Sequence, residues 1–383
     1  MLVPAILIDL FAVSTPQGAC QNMQGMSISL DTFRSFAVAR SLFPPTSLKR
    51  ALEKLAFVQA DPIRAPARAQ DLTLRHRVKG YRAGDLERLY STLAIEEDVF
   101  INYGYVTRSL HELMHPRTNR SRWPTVRATK RQALLEFVRD RGTVHPREVD
   151  AHFSHGTVTN YWGGSSNATT HLLDDMHYRG LLRIARREGG IRIYAPRERV
   201  AGVVDAARRR TRIDAIVDTA VRIYAPLPAA SLSSLVSRLR YAVPQWRGEL
   251  KSALQRARSR LSHARVDGLD WYWPAAERLP AIEPSDTIRL LAPFDPVVWD
   301  RRRFEILWGW AYRFEAYTPA RKRRFGYYAL PLLRRDRVIG WGNVSVKNGE
   351  LEVGLGFVDS SPPRDRAFKR ELDAELDRLR EFI

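Results

Sequence analysis

The stretch Leu181-Leu182-Arg183-Ile184-Ala185-Arg186-Arg187-Glu188-Gly189-Gly190-Ile191-Arg192-Ile193-Tyr194 decides how this chain is read. Two β-prone runs, Leu181 to Ile184 and Ile191 to Tyr194, flank a polar turn that closes on two glycines, the sequence form of a hairpin. Upstream, Ala133, Leu134, Phe137 and Val138 make a helical apolar face. Pro146 suits the first turn of a second helix, and Ser165 is placed to cap a third that runs to Tyr178 and stops at Gly180. Three helices and a basic hairpin spell a winged helix, whose third helix can enter a major groove while the hairpin reaches the backbone.

The pattern recurs downstream. Ile216, Thr219, Ala220 and Ile223 line a helix, Ser231 is expected to cap Leu232 to Leu239, and Gln245 to Ser259 reads as a third helix. A hairpin follows through an Asp267-Gly268 turn into Leu269 to Trp273. The segment before both, with helices expected at Leu30 to Ser41 and at Thr46 to Ala56 (Thr46 as N-cap), reads as a more divergent copy. Beyond Pro280, β-type runs dominate: Thr287 to Leu291, Trp310 to Tyr317, Gly326 to Leu333, Val338 to Val346 and Leu351 to Leu355. A closing helix, Arg364 to Ile383, carries Phe368, Leu372, Leu376 and Leu379 at helical spacing.

The expected fold class is therefore α+β: tandem winged-helix (helix-turn-helix) units with a C-terminal antiparallel β-sheet or barrel and a closing helix. The expected units are 26–125, 126–205, 206–280 and 281–383, with the polar, basic stretch Pro116 to Arg131 as linker. Residues 1–25 show no periodicity and read as a disordered leader or as a start placed upstream of the true one at Met26.

With 383 residues and 44% apolar content, the chain can bury a substantial core. Sixty-two Lys and Arg against 42 Asp and Glu leave a formal charge of +20, a surplus that attracts polyanions and makes binding salt-dependent. Double-stranded DNA is the first partner to consider. The single Cys20 excludes a disulfide framework and a cysteine zinc cluster. Met1 to Phe11 is apolar but contains Asp9, lacks a basic flank and is too short to span a bilayer. A cytoplasmic, nucleoid-associated monomer with no membrane partner is expected.

Within the first unit, Phe57-Val58-Gln59-Ala60-Asp61-Pro62-Ile63-Arg64 sets an amide and a carboxylate two residues apart. In an extended segment both side chains take the same face, and Pro62 favours extended backbone at Asp61. Gln59 and Asp61 could then address one water or one sugar; the alternative is an apolar strand end followed by an Asp-Pro turn. Arg64, Arg68, Arg75, His76 and Arg77 follow closely and could hold phosphates. A second basic run, Arg321-Lys322-Arg323-Arg324, lies between aromatic β-prone segments and reads as a hairpin tip.

Three stretches carry a resemblance: LAFVQADPIRAPARAQDLTLRHRV (55–78), LLAPFDPVVWDRRR (290–303) and YRFEAYTPARKRRFGYYALP (312–331). With them the chain, from about Ser27 to its end, resembles the winged-helix DNA glycosylases of the AlkZ/YcaQ type, bacterial enzymes that remove alkylated bases and unhook interstrand crosslinks. The resemblance implies that Gln59 and Asp61 are catalytic, as the family's Q-x-Q or Q-x-D element is. It also implies that the basic hairpin, Arg321, Lys322, Arg323 and Arg324, enters a groove near the lesion; Arg64 and Arg68 are DNA contacts on their charge and position alone, with a solvated basic face as the alternative. Phe100-Ile101-Asn102-Tyr103-Gly104-Tyr105 departs from the Glu-Tyr-Trp-x-His type of run expected there.

The implied activity is hydrolysis of the N-glycosidic bond of N7-alkylguanine-type bases, with interstrand crosslinks as a further substrate, by a monofunctional enzyme. No lysine is placed beside Asp61 to form a Schiff base, and no cofactor or metal is implied. The alternative is a non-catalytic winged-helix DNA-binding regulator or repair accessory protein. His111-Glu112-Leu113-Met114-His115 matches the zinc-protease pattern H-E-x-x-H. Pro116 ends the helix at once, no downstream third ligand is set up, and Leu110, Leu113 and Met114 form an ordinary core stripe. Trp162, beside Gly163-Gly164, reads as a packing residue. Phe294-Asp295-Pro296 and Trp299-Asp300-Arg301-Arg302 combine carboxylates, an aromatic and cations, where an Asp-Arg pair reads as a turn anchor ahead of a functional group.

Overall fold

The computed structural model describes residues 28–117, 125–154, 156–159, 165–198, 205–279 and 285–383. The leader, Cys20, Trp162 and part of the expected linker lie outside them.

The first run of elements is α1 (Leu30–Ser41), α2 (Leu48–Leu55), β1 (Phe57–Gln59), α3 (Ala69–Leu74), α4 (Asp85–Leu89), β2 (Ile95–Val99), β3 (Tyr103–Thr107) and α5 (Arg108–Met114). Ser29 caps α1 in a reciprocal box, its Oγ accepting from Thr32 N while its own N–H donates to Thr32 Oγ1. The cap of α2 is Ser47, not Thr46. Thr46 is drawn into a β-bridge with Val78, exchanging backbone bonds with Arg77 and Lys79. The antiparallel sheet runs β1-β3-β2.

The second run is α6 (Thr125–Arg141), α7 (Pro146–Phe153), the short pair β4 (Thr157–Thr159) and β5 (Ser165–Asn167), α8 (Ala168–Tyr178), and the hairpin β6 (Leu182–Glu188) and β7 (Ile191–Pro196). The apolar face of α6 is Leu134, Leu135, Phe137 and Val138, with Ala133 turned outward. Ser165 does not cap α8. It begins β5, and Asn167, two residues on, accepts from Thr170 N.

The third run is α9 (Ala206–Tyr224), β8 (Leu227–Pro228), α10 (Ala229–Arg238), α11 (Leu250–Arg260) and the hairpin β9 (Ser262–Val266) and β10 (Leu269–Trp273). Ser231 sits buried within the first turn of α10, so its capping role is not realised. The expected helix from Gln245 starts as a 3-10 turn, Pro244–Glu249, before α11 begins. Phe33 of α1 stacks on Trp271 of β10 at 4.8 Å, joining the first and third runs in one core.

The C-terminal part is β11 (Ile288–Leu290), α12 (Arg301–Trp308), β12 (Leu330–Arg334), β13 (Arg337–Lys347), β14 (Glu350–Phe357) and α13 (Arg366–Phe382). Its sheet is an antiparallel meander ordered β11-β12-β13-β14, turned at Arg335-Asp336 and Asn348-Gly349. Phe368 and Leu379 of α13 are buried as expected.

The expected strand over Trp310 to Tyr317 is absent, and Arg321 to Arg324 is not a hairpin tip. The carboxylate of Glu315 accepts the backbone N–H groups of Arg324 (2.8 Å) and Phe325 (2.7 Å), and the Tyr312 hydroxyl donates to Ala329 O (2.7 Å). These bonds fold the segment on itself as a loop around a 3-10 turn, Ala320–Lys322, so its backbone cannot join the sheet.

One buried ion pair couples the first run to the last. Arg77, fully buried, donates Nη1 to Asp295 Oδ2 (2.7 Å) and Nη2 to Asp295 Oδ1 (3.0 Å), and two further N–H groups to Ser41 O and Thr73 O. It is therefore unavailable to a phosphate. Arg77→Met leaves the Asp295 charge buried without its partner and is expected to cost about 3–5 kcal/mol, read as a lower urea midpoint at unchanged slope. Arg380→Met, which removes an exposed pair with Asp377, should stay within about 0.5 kcal/mol of the parent.

Candidate active site

β1 ends at Gln59 because the chain then turns through Asp61 and Pro62. Gln59 pairs with Gly104 across the sheet, and Ala60 N–H continues the ladder to Tyr103 O (3.0 Å). The approach is so close that a Cβ on Gly104 would collide with Val58 O, which explains a glycine in the run that departs from the expected pattern. Asp61 Oδ1 accepts from Ile63 N (2.9 Å), a local turn, while Asp61 N–H points to Gln70 Oε1 of α3 at 3.3 Å. Asp61 Oδ2 makes no hydrogen bond to another described residue and is not sealed from solvent.

The partner of Gln59 comes from the C-terminal part. Trp299 Nε1–H donates to Gln59 Oε1 at 3.0 Å. Because indole is a donor only, this bond fixes the amide orientation and leaves the Gln59 NH2 group as the free donor. Trp299 is held by Tyr224 at 4.7 Å and by the Arg238 guanidinium at 5.4 Å from its ring centroid. The turn that carries it is built on Asp295, which accepts from Val297 N (3.0 Å), and whose carbonyl receives Trp299 N–H (2.8 Å). Asp300 then caps α12 through Arg303 N (3.1 Å).

Near Asp61 lies an aromatic group. Phe314 packs against Phe294 (5.1 Å), Tyr328 (5.2 Å) and Tyr317 (6.1 Å). The Tyr328 hydroxyl is buried without a partner among the described residues. Burial first, and then the Asp61 charge, raise the pKa of Tyr328, and both causes act on Tyr317 in the same order. Tyr317 is nonetheless 78% exposed, an aromatic face offered to solvent next to a carboxylate. Burial likewise raises the Asp61 pKa, partly offset by the Ile63 N–H bond.

The predicted DNA contacts divide. Arg64 is exposed and without a carboxylate partner among the described residues. Arg68 is half-buried and ion-paired with Glu87. Arg321, Lys322 and Arg324 are exposed on the loop, while Arg323 donates to Thr318 O (2.8 Å) and lies over Tyr327 at 5.0 Å. Arg75 is ion-paired with Glu375, and His76 is buried on Leu290 O. Trp299, weighed in sequence as part of a turn, joins the site through Gln59, whereas Tyr317, Tyr328 and Gln70 join it without having been singled out, although the runs 312–331 and 55–78 already contained them.

The H-E-x-x-H residues do other work. His111 and His115 stack at 4.1 Å and direct both Nε2 atoms at Asp98 Oδ2, at 3.3 and 2.7 Å. The third group absent downstream in sequence is thus supplied upstream, and ligand atoms of the three residues lie within 4.8 Å of one another. Asp98 Oδ1, however, is taken by Arg117 Nη1 at 2.6 Å, which puts a cation where an ion's charge would fall. Glu112 is exposed, whereas both histidines are buried. Burial lowers His115 to about 3, so its imidazole is neutral. Burial would raise Asp98, but Arg117 and the two histidines outweigh it and hold the carboxyl well below its usual range.

The family described as "DNA glycosylase AlkZ-like" matches residues 52–382. The chain belongs to the AlkZ-like DNA glycosylases. Among solved structures, the DNA glycosylase AlkZ of Streptomyces sahachiroi is similar at a TM-score of 0.61, with 16% identity over 93% of this chain and 97% of that one. At that identity the likeness concerns the fold. This AlkZ-like chain is thus a DNA repair glycosylase by family, and among the described residues no helix is long and apolar enough to cross a membrane.

Because the folded state raises the Asp61 pKa, its proton is bound more tightly folded than unfolded. The resulting destabilisation is fully present above the folded value and vanishes below the unfolded value of about 3.9. Asp61→Asn is therefore expected to melt higher than the parent near neutral pH, with the difference closing as pH falls through the carboxylate range. A difference independent of pH would remove burial of the charge as its cause.

Proposed function

We propose that this AlkZ-like glycosylase is monofunctional and hydrolyses the N-glycosidic bond of N7-alkylguanine-type bases in duplex DNA, with interstrand crosslinks as a further substrate. The observation that carries the reading is the Trp299–Gln59 bond, which leaves an oriented NH2 donor two residues from a carboxylate with one free oxygen. A donor and an acceptor so placed can hold one water.

An N7-alkylated guanine is already cationic, so it departs without being protonated. The C1′–N9 bond breaks, the electron pair leaves with the base, and the sugar passes through an oxocarbenium-like state. The Asp61 carboxylate stabilises that positive charge and takes a proton from the attacking water, whose oxygen is held by the Gln59 NH2 group. The partly buried setting that raises Asp61 also makes it the stronger base.

Duplex binding is assigned to Arg64, Arg68 and the loop bearing Arg321, Lys322, Arg323 and Arg324, with Tyr317 as the aromatic face nearest the damaged nucleotide. The three helix-rich runs, two of them ending in a hairpin, are read as tandem winged helices that carry a monomer along the duplex. Phosphate contacts dominate affinity in such complexes, so chemistry and binding should separate.

Asp61→Asn is expected to slow release of N7-methylguanine at least about 100-fold while duplex affinity stays within about twofold. Trp299→Phe, which keeps the packing but frees the Gln59 amide, should lower the single-turnover rate about tenfold. Undiminished release from Asp61→Asn in a quantitative base-release assay would remove Asp61 from the mechanism.

A further inference from the structure

A groove rich in cations has neither Gln59 nor Asp61 in its lining. It has a volume of about 670 Å³ and opens between the chain following α3, β11 and α13. Its walls carry Arg75, Lys79, Arg82, Arg289 and Arg378, against a single lining carboxylate, Glu381. Beneath them lies Glu375, fully buried, which is already committed: Oε1 to Arg75 and to Leu290 N (2.8 Å), Oε2 to Arg378 Nη2 (3.0 Å).

Arg289 is the residue left over. Its guanidinium makes no ion pair or hydrogen bond with a described residue, although burial, followed by the opposing pull of Glu375 and the push of Arg378, Arg77 and Arg75, sets its surroundings. His76 adds no positive charge, since burial keeps its ring neutral. Packing several cations around one spent carboxylate costs free energy unless an anion completes the set. Arg donors in a fixed fork match the oxygens of phosphate and carboxylate alike, and in a family that acts on DNA phosphate is the anion at hand.

We propose that this groove is a second phosphate-binding site, distinct from the base-excision site. The two are joined by α3: Gln70 near its start faces the Asp61 backbone, and Arg75 at its C-terminal end lines the groove, a separation of about 7.5 Å along the helix axis. The phosphate is either a backbone phosphodiester of the bound duplex or the phosphate of a free nucleotide. Both sources present the same chemistry to Arg289, Lys79 and Arg82.

The test uses the full-length protein and inorganic pyrophosphate, titrated calorimetrically at constant ionic strength. Saturable binding is expected, weakened at least about tenfold by Arg289→Gln and by the double variant Lys79→Gln/Arg82→Gln. The double variant alters two exposed side chains and gives the reading if Arg289→Gln does not fold. Asp61→Asn should bind pyrophosphate as the parent does, so failure of the excision mechanism and failure of this site are separable. Binding of an undamaged labelled duplex then tells the sources apart. Several-fold weaker duplex binding by the variants, with competition by pyrophosphate, identifies the DNA backbone; unchanged duplex binding with lost pyrophosphate binding identifies a free nucleotide. Absence of saturable pyrophosphate binding, or binding unaffected in both variants, overturns the proposal.

Discussion

The Arg77–Asp295 pair is the constraint from which the rest of the site descends. Both side chains are fully buried, so neither can find water if the other is displaced, and the fork of Arg77 admits one orientation of the carboxylate. That orientation fixes the turn after Phe294. The turn presents Trp299 to Gln59, and Trp299 in turn aligns the amide. A buried ion pair contributes little net stability beside an apolar packing of the same volume. Its value here is register: it docks the C-terminal part on the first run of elements in one way.

A second polar junction does the same for the middle of the molecule. Arg117 bonds Asp98, and also Val99 O (2.7 Å), Tyr178 O (2.9 Å) and Ala242 O (2.6 Å), so one guanidinium reaches the sheet β1-β3-β2, the end of α8 and the chain after α10. Nearby, Arg187 from the β6–β7 hairpin grips Glu97 with two bonds, at 2.7 and 2.6 Å. The hairpin is thereby tied to β2, the far strand of the sheet whose first strand carries Gln59. These arginines are thus structural, their charge answered within the fold.

Asp61 shows the opposite economy. Its charge is partly desolvated and answered by one backbone N–H rather than by an arginine, an arrangement that favours basicity over stability. The Tyr328 hydroxyl, buried without a partner among the described residues, is a further polar group left unsatisfied near Asp61.

What the sequence by itself determined is local. The hairpin at Gly189-Gly190, the Asp267-Gly268 and Asn348-Gly349 turns, the first helix and the buried face of the last depend on near neighbours, and all are legible because backbone sterics and apolar spacing act over a few residues. Gln59 and Asp61 stood out for the same reason, as an amide and a carboxylate on one short extended segment. Only the tertiary structure decided which cations are free, since Arg77 and Arg64 look alike in sequence and differ in whether a carboxylate more than 200 residues away closes on them. It also turned the aromatic run after Trp310 into a loop around Glu315, and brought Trp299 to Gln59 across 240 residues. Ion pairing and indole–amide bonding are set by the meeting of distant surfaces, and no periodic pattern in the chain records that meeting.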